Sequence, residues 1–180
     1  MEGRTKSMSL EYPIVKLTQR ELMLGSIVGL QRQVECQASS KNGNRSISEY
    51  QKRYGNPGGK GLWNNAIEGA LGELALAKHL NVYHTGIGGY NYVDVGEFYE
   101  VRTRPEVYQQ LFVKKKDNPD KYYVLVQGAY GEYKIRGWIC GKEVFSTPSW
   151  YHSNGGNTSE QFWVPLEKMH HINELPKVAP

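Results

Sequence analysis

The feature that most constrains the fold is segment 61–80, GLWNNAIEGALGELALAKHL, which carries a strong helical pattern ahead of a strand-rich second half. On a wheel of about 100° per residue, one stripe of this helix contains Ala66, Ala70, Glu73, Ala77 and Leu80. An ionised carboxylate among apolar side chains costs on the order of several kcal/mol unless a cation pairs with it. Glu73 therefore predicts either an ordinary ion pair with a lysine or arginine, or a ligand site that the small neighbours leave room for.

The rest of the chain divides into an N-terminal helix and later strands. Thr18 and Glu21 have the spacing of a capping box, which predicts a helix through about Val34. Its apolar stripe, which predicts packing against another element, consists of Leu22, Ile27, Leu30 and Val34. The polar segment 38–60 predicts a long loop, and 141–160 a second loop. The predicted strands are 90–95, 98–104, 121–128 and 133–140, with a short strand at 161–165 and a terminal helical turn at 166–173.

Helices followed by a run of antiparallel strands predict the α+β class. With 180 residues, the chain has the length of one ordinary domain. Residues 1–60 are expected to form a helical extension and loop of that domain, and residues 61–180 its core.

Composition narrows the class of protein and of partner. Cys36 and Cys140 do not form a CxxC or Cys/His cluster, which argues against a zinc ribbon or a disulfide scaffold. The sequence contains neither an apolar run of membrane-spanning length nor a secretory signal, so a soluble cytoplasmic protein is expected. The net charge is +4, because residues 1–60 carry +5 and residues 61–180 carry −1. A pI near 8.9 is compatible with a polyanionic partner or with an ordinary solvated surface.

A candidate site lies on the hairpin predicted around Gly96-Glu97. Glu100 and Arg102 point to the same face of their strand. Asp94 joins them if the hairpin loop has an odd length, for instance the three residues 95–97. Two carboxylates this close need a divalent cation between them, or one must take up a proton. Oxygen ligands without His or Cys favour magnesium or manganese.

This pattern resembles the PD-(D/E)XK nuclease superfamily, and most closely its restriction-endonuclease-like, phage-type members. The resemblance rests on Glu73 in a Gly-x-x-Gly-Glu-Leu-Ala helix, on Asp94, and on Glu100-x-Arg102, and it covers roughly residues 60–165. It implies a restriction-endonuclease-like core, in which a mixed β-sheet is flanked by helices. It also implies a phosphodiesterase that cuts nucleic acid, with DNA favoured over RNA, in the cytoplasm of a host cell if the protein is phage-encoded.

The resemblance implies specific roles for the site residues. Asp94, Glu100 and the backbone carbonyl of Val101 would bind Mg²⁺ or Mn²⁺, and Glu73 would assist through water. The bound ion would polarise the scissile phosphate and activate the attacking water.

Arg102 departs from the family pattern, which usually has lysine at this position. Arginine stays charged and is poorly suited to act as a general base, although it can clamp a phosphate. Either the site is a variant, or Lys114–Lys116 or Gln127 supplies the missing function, or the site is weak or inactive. The alternative functions are therefore a nuclease-like protein that binds nucleic acid or a protein partner without cutting, and an unrelated α+β protein with ordinary ion pairs.

The remaining expectations concern partners. The residues expected to contact nucleic acid, as basic side chains near the hairpin or in the polar loop, are Lys114, Lys115, Lys116, Arg104 and Arg53. The resemblance also implies a homodimer, since many nucleases of this type act on both strands as dimers.

Overall fold

The structure is a computed structural model, which describes residues 11–42, 62–87, 93–153 and 160–177. The helices are α1 (Gln19–Asn42), α2 (Leu62–Leu80) and the short α3 (Gly141–Phe145). The strands are β1 (Ile14–Lys16), β2 (Tyr99–Arg104), β3 (Leu111–Lys114), β4 (Tyr122–Ala129), β5 (Glu132–Cys140), β6 (Tyr151–His152) and β7 (Gln161–Val164). Short 3-10 helices follow at Pro148–Trp150, Leu166–Lys168 and Ile172–Glu174.

The strands form two sheets. The main sheet has the order β1-β5-β4-β2 and is mixed, because β2 runs parallel to β4 while the other pairs are antiparallel. The second sheet has the order β3-β7-β6 and is antiparallel. The predicted α+β class and mixed sheet are confirmed, whereas the expected run of purely antiparallel strands is wrong at β2 and β4. The restriction-endonuclease-like core stays a prediction.

Side-chain alternation on β4 builds two apolar cores on opposite faces of the main sheet. Val124 and Val126 pack in one core with α2 residues such as Leu76, and Tyr123 and Leu125 pack in the other with residues of the second sheet. Strand periodicity of two assigns these neighbours to opposite faces. Among the described residues, β2 is the outermost strand on its side of the main sheet, and it borders both the helical layer and the second sheet.

Glycines allow the helices to approach each other and the sheet closely. Gly29 of α1 lies against the backbone of α2, where a Cβ would come within 2.5 Å of the Ile67 Cα. Gly72 of α2 faces Thr103 of β2, and an added Cβ would collide with that side chain. These contacts fix α1 on α2 and α2 on β2.

Several predicted element boundaries differ from the structure. Helix α1 continues to Asn42, beyond the predicted end near Val34, so the first residues of the predicted loop are helical. Strand β3 lies in a segment for which no element was predicted, and helix α3 lies in the segment 141–160 that was predicted to be a loop. Of the predicted strand 90–95, residues 90–92 are outside the described residues, and Val95 forms an isolated bridge with Tyr99. The predicted terminal helical turn is two short 3-10 helices, separated by a bridge between His170 and Trp138.

The predicted apolar stripe of α1 packs only in part: Leu22 is partly buried against the core that contains Leu76, whereas Ile27, Leu30 and Val34 are exposed, with 47–58% of their surface accessible. The side that contacts α2 carries Gly25, Gly29 and Arg32 instead. Close helix packing selected the small residues, because large side chains there would hold the two helices apart.

None of the helices in the described segments is both long enough and apolar enough to cross a lipid bilayer.

Two alanine substitutions test the close approach of α1 to α2. Gly29→Ala is expected to lower the free energy of unfolding by about 1–3 kcal/mol, because its methyl group meets backbone that must shift. Gly69→Ala is the matched control, since nothing lies within 4 Å of a Cβ there. The control should raise stability by about 0.5–1 kcal/mol through helix propensity. Urea unfolding measures both, and equal effects would contradict the described helix contact.

Candidate active site at the free edge of the main sheet

A tight loop at the outer edge of β2 places Asp94 beside Glu100 and Arg102. Val95 and Tyr99 exchange backbone hydrogen bonds of 3.1 and 3.3 Å, which leaves a three-residue loop at 96–98. Gly96 adopts the left-handed φ of 60° that such a loop requires. The loop is one residue later than the example given above, but its length is odd, as required. The Asp94 carboxylate accepts the Val101 N–H at 2.7 Å, which fixes it at the edge.

Arg102 lies at the centre of the polar contacts on this edge. Its Nη1 is 3.2 Å from the Val101 carbonyl oxygen, 3.5 Å from Glu100 Oε2 and 3.9 Å from Asp94 Oδ2. Its Nη2 donates to Asp117 Oδ2 at 2.8 Å. The guanidinium carbon also lies 5.2 Å from the centre of the Tyr123 ring. Arg102 is thus held by charge and by an aromatic face.

Glu73 lies nearby in an ion pair with an arginine from α1. Arg32 Nη1 and Nη2 donate to its two oxygens at 2.6 and 2.7 Å, and His84 Nε2 is 3.3 Å from Oε2. Glu73 is only 6% exposed, so this two-pronged contact provides the cation that its apolar stripe demands. Arg32 Nη2 also donates to the Ile87 carbonyl at 3.1 Å. The ordinary ion-pair alternative is therefore what the structure shows for Glu73.

The Glu73 pair and the β2 group influence each other electrostatically. Burial, followed by the charges of Glu73 and Glu100, raises the pKa of Asp94 from 3.8 to about 7. Burial also raises the pKa of Glu100, although the charge of Arg102 opposes this. Glu73 and Glu100 therefore both act on Asp94.

The charge balance of this region favours an additional cation. Its four carboxylates belong to Glu73, Asp94, Glu100 and Asp117, and its two guanidinium groups to Arg32 and Arg102. If all are ionised, two negative charges remain, counting His84 as neutral. The charge of Lys121 also lowers the pKa of Glu100, and its ammonium donates to the Glu97 carbonyl. A divalent cation would balance the remainder, as would proton uptake.

The oxygen donors suit magnesium chemically, but they already contact the guanidinium of Arg102. Carboxylate and carbonyl oxygens are the ligands that Mg²⁺ prefers. Those assigned above to the metal, from Asp94, Glu100 and the Val101 backbone, surround Nη1 of Arg102 instead. Among the described residues, no group of three or more His, Cys, Asp or Glu side chains is set to hold a metal ion. The donor types fit the metal, and Arg102 lies between them.

The basic residues predicted to contact nucleic acid fall in two described places. The loop after β3 lies beside Arg102, because Asp117 Oδ2 also accepts the Lys114 N–H at 2.9 Å. Lys115 pairs with Glu160 at 3.1 Å on the surface. Arg104 lies against the ring of Phe112 rather than near the carboxylates. Lys116 belongs to the same loop as Lys115, whereas Arg53 is outside the described residues.

Gln127 has a different role from the one considered in the sequence. It is buried on β4, and its amide nitrogen donates to the carbonyl oxygens of Val107 and Gln109 at 3.0 and 2.7 Å. These hydrogen bonds hold the segment between β2 and β3. The amide nitrogen of Gln127 is therefore engaged in stabilising the connection between β2 and β3.

Sequence reasoning missed three contributors to the site, namely Arg32, His84 and Asp117. A signal for Arg32 exists, because Gly25, Gly29 and Arg32 share one helical face at spacings of four and three. No comparable pattern marks His84 or Asp117, which reach the site from irregular segments.

Comparison with known proteins adds no relative to this geometry: the chain matches no family model, and no curated protein or solved structure matches it significantly.

Breaking the buried pair should be far more costly than breaking an exposed one. Arg32→Met is expected to lower the free energy of unfolding by about 3 kcal/mol at pH 7, because Glu73 keeps a buried charge without its partner. The double variant Arg32→Met/Glu73→Leu should recover most of that loss. Lys16→Met is the control, since its pair with Glu132 is exposed and is worth less than about 1 kcal/mol. Equal losses for Arg32→Met and Lys16→Met in urea unfolding would count against the buried pair.

Asp94 should make stability depend on pH. An acid whose pKa is higher in the folded than in the unfolded chain stabilises the fold where it is protonated. Stability therefore falls as the pH rises from about 4 to about 7. Without divalent cations, we expect the free energy of unfolding to fall by about 3 kcal/mol across this window. Asp94→Asn should remove most of this decline and should be more stable than the parent at pH 8. An unchanged pH profile in the variant would rule out this role of Asp94.

Proposed function

We propose that the protein is a Mg²⁺- or Mn²⁺-dependent phosphodiesterase that cleaves nucleic acid, with DNA favoured over RNA. The observation that carries the proposal is the group of three carboxylates, from Asp94, Glu100 and Asp117, around the single guanidinium of Arg102 at the outer edge of β2. The buried Glu73–Arg32 pair lies near enough to act on Asp94. Such an excess of hard oxygen donors at one edge suits a divalent cation. A loop of three lysines next to this edge suits a polyanionic substrate.

The chain's own residues divide the tasks of binding and positioning. Asp94, Glu100 and the Val101 carbonyl would hold the metal, which when bound supplies a more acidic water and polarises the phosphate. The Val101 N–H fixes the Asp94 carboxylate at 2.7 Å. Arg32 fixes Glu73, whose remaining lone pairs can orient a water.

Arg102 supplies positive charge rather than a base. A guanidinium does not lose its proton at ordinary pH, so it does not accept one from water. Its donors suit the charge that develops on phosphate oxygens during hydrolysis. Lys114–Lys116 would position the nucleic-acid backbone next to it.

A second candidate function is binding of nucleic acid without cleavage. One observation favours it, namely that Arg102 Nη1 already contacts the three oxygen donors assigned to the metal. In that case the guanidinium itself balances the carboxylates, and the lysine loop contributes salt-sensitive affinity for phosphates. The homodimer and the cytoplasmic location also stay predictions.

Cleavage assays separate these functions. The protein is incubated with plasmid DNA, single-stranded DNA and RNA, in Mg²⁺, Mn²⁺ or EDTA. We expect metal-dependent cleavage by the parent, and a fall in rate of at least about a hundredfold for Asp94→Ala and for Glu100→Ala. Glu132→Ala is the matched control, because this exposed carboxylate lies on β5, which β4 separates from β2, and it pairs with Lys16 of β1. Salt-sensitive binding without cleavage would support the second function, and equal cleavage by all variants would point to a contaminating nuclease.

Arg102→Lys then tests how arginine contributes. If the arginine clamps phosphate, the lysine variant should cleave about tenfold or more slowly, since lysine lacks the planar fork of donors. A faster lysine variant would mean that arginine attenuates the native site.

A further inference from the structure

The two terminal nitrogens of the Arg102 guanidinium have different environments. Nη2 makes a short contact of 2.8 Å with Asp117, and the guanidinium stacks on Tyr123. Nη1 makes longer contacts of 3.2, 3.5 and 3.9 Å with Val101, Glu100 and Asp94. Nε has no hydrogen-bond partner among the described residues. Asp117 therefore anchors the guanidinium at Nη2, while the contacts of Nη1 are longer.

The atoms around Nη1 come from three different groups and are all oxygens. One backbone carbonyl and two carboxylates converge on this nitrogen at the free edge of the sheet. This is the donor set that a hard divalent cation would use. A guanidinium nitrogen and a metal ion cannot share this position, because both are positively charged and both need the same lone pairs.

We propose that Arg102 is an internal counter-cation of the site, which keeps divalent metal out until a phosphate takes over its guanidinium. Before nucleic acid binds, Nη1 neutralises Asp94 and Glu100. When a phosphate of the substrate approaches, Nη1 turns to it and releases the oxygens to the metal. The proposal rests on the proposed function, since it assumes that these oxygens bind metal.

Metal and nucleic acid should therefore bind cooperatively. Each ligand favours the arrangement in which Arg102 has left the carboxylates, so each raises the affinity for the other by the same factor. A metal held only when substrate is present also limits unproductive metal loading. Arg102 thus determines which of two cations neutralises the site.

Binding of Mn²⁺, followed by electron paramagnetic resonance of the free ion, tests the proposal without any cleavage. We expect Arg102→Gln to bind Mn²⁺ at least about tenfold more tightly than the parent in the absence of nucleic acid, because two carboxylates lose a cation within 4 Å. Arg136→Gln on β5 is the matched control, since the Arg136 guanidinium lies against the Tyr12 ring, and this substitution should leave Mn²⁺ affinity unchanged. Adding Asp94→Asn to Arg102→Gln should abolish the gain.

A second arm adds a short single-stranded DNA with non-bridging phosphorothioates that resist cleavage. The parent should bind Mn²⁺ several-fold more tightly in its presence, and Arg102→Gln should show little further gain. If Arg102→Gln does not fold, Arg102→Gln/Asp117→Asn removes the anchoring carboxylate together with the arginine, and it should show the same tight binding.

The outcomes distinguish this proposal from the proposed function. Parent and Arg102→Gln binding Mn²⁺ equally tightly without DNA would overturn the role of Arg102 and leave the metal-dependent enzyme standing. Absence of Asp94-dependent Mn²⁺ binding in all variants, with and without DNA, would overturn both. Cooperative binding of Mn²⁺ and DNA without cleavage of ordinary DNA would support the role of Arg102 and overturn only the catalytic proposal.

Discussion

The contact between Arg32 and Glu73 is the interaction on which the rest of the structure depends. A carboxylate on the apolar face of α2 is tolerated because a guanidinium from α1 meets both of its oxygens. The two hydrogen bonds between Arg32 and Glu73 limit how far α1 can rotate about its axis. Gly29 lets the two helices come close enough for both hydrogen bonds to form. Helix α2 in turn rests on β2 through Gly72 and Thr103, so the same contact sets the position of the edge strand relative to the helices.

Local patterns in the sequence predict much of the fold. Periodicity identifies α2, and alternation identifies β2, β4 and β5 to within a residue or two. The parallel pairing of β2 with β4 could not be predicted, because partner choice depends on where the intervening chain travels. That chain contains β3, whose four residues are too short for a periodic signal and whose partner β7 lies far along the sequence.

The candidate site shows the same division between local and distant information. Asp94, Glu100 and Arg102 could be grouped from the sequence because they lie on one short hairpin whose loop parity determines their faces. Arg32 and Asp117 enter the site through contacts between distant segments. The glycine face of α1 marks Arg32 as a residue of the helix contact without showing that its partner is Glu73, and no sequence pattern marks Asp117. The consequence is physical as well as practical: the sequence predicts where negative charge accumulates, whereas the three-dimensional fold decides which cations already compensate it.

The backbone hydrogen bond from Val101 to Asp94 has a consequence for how copies of this chain meet each other. Strand β2 forms the border of the main sheet, and unpaired N–H groups on a border strand invite pairing with a strand from another molecule. On the outer edge of β2, the N–H and carbonyl groups of Tyr99 are hydrogen-bonded to the backbone of Val95. The next outward-facing N–H, that of Val101, donates to the Asp94 carboxylate. A strand from another molecule would have to displace the Asp94 carboxylate before it could pair with β2 at this point. Asp94, which adds negative charge to the site, therefore also disfavours edge-to-edge pairing between copies of the chain.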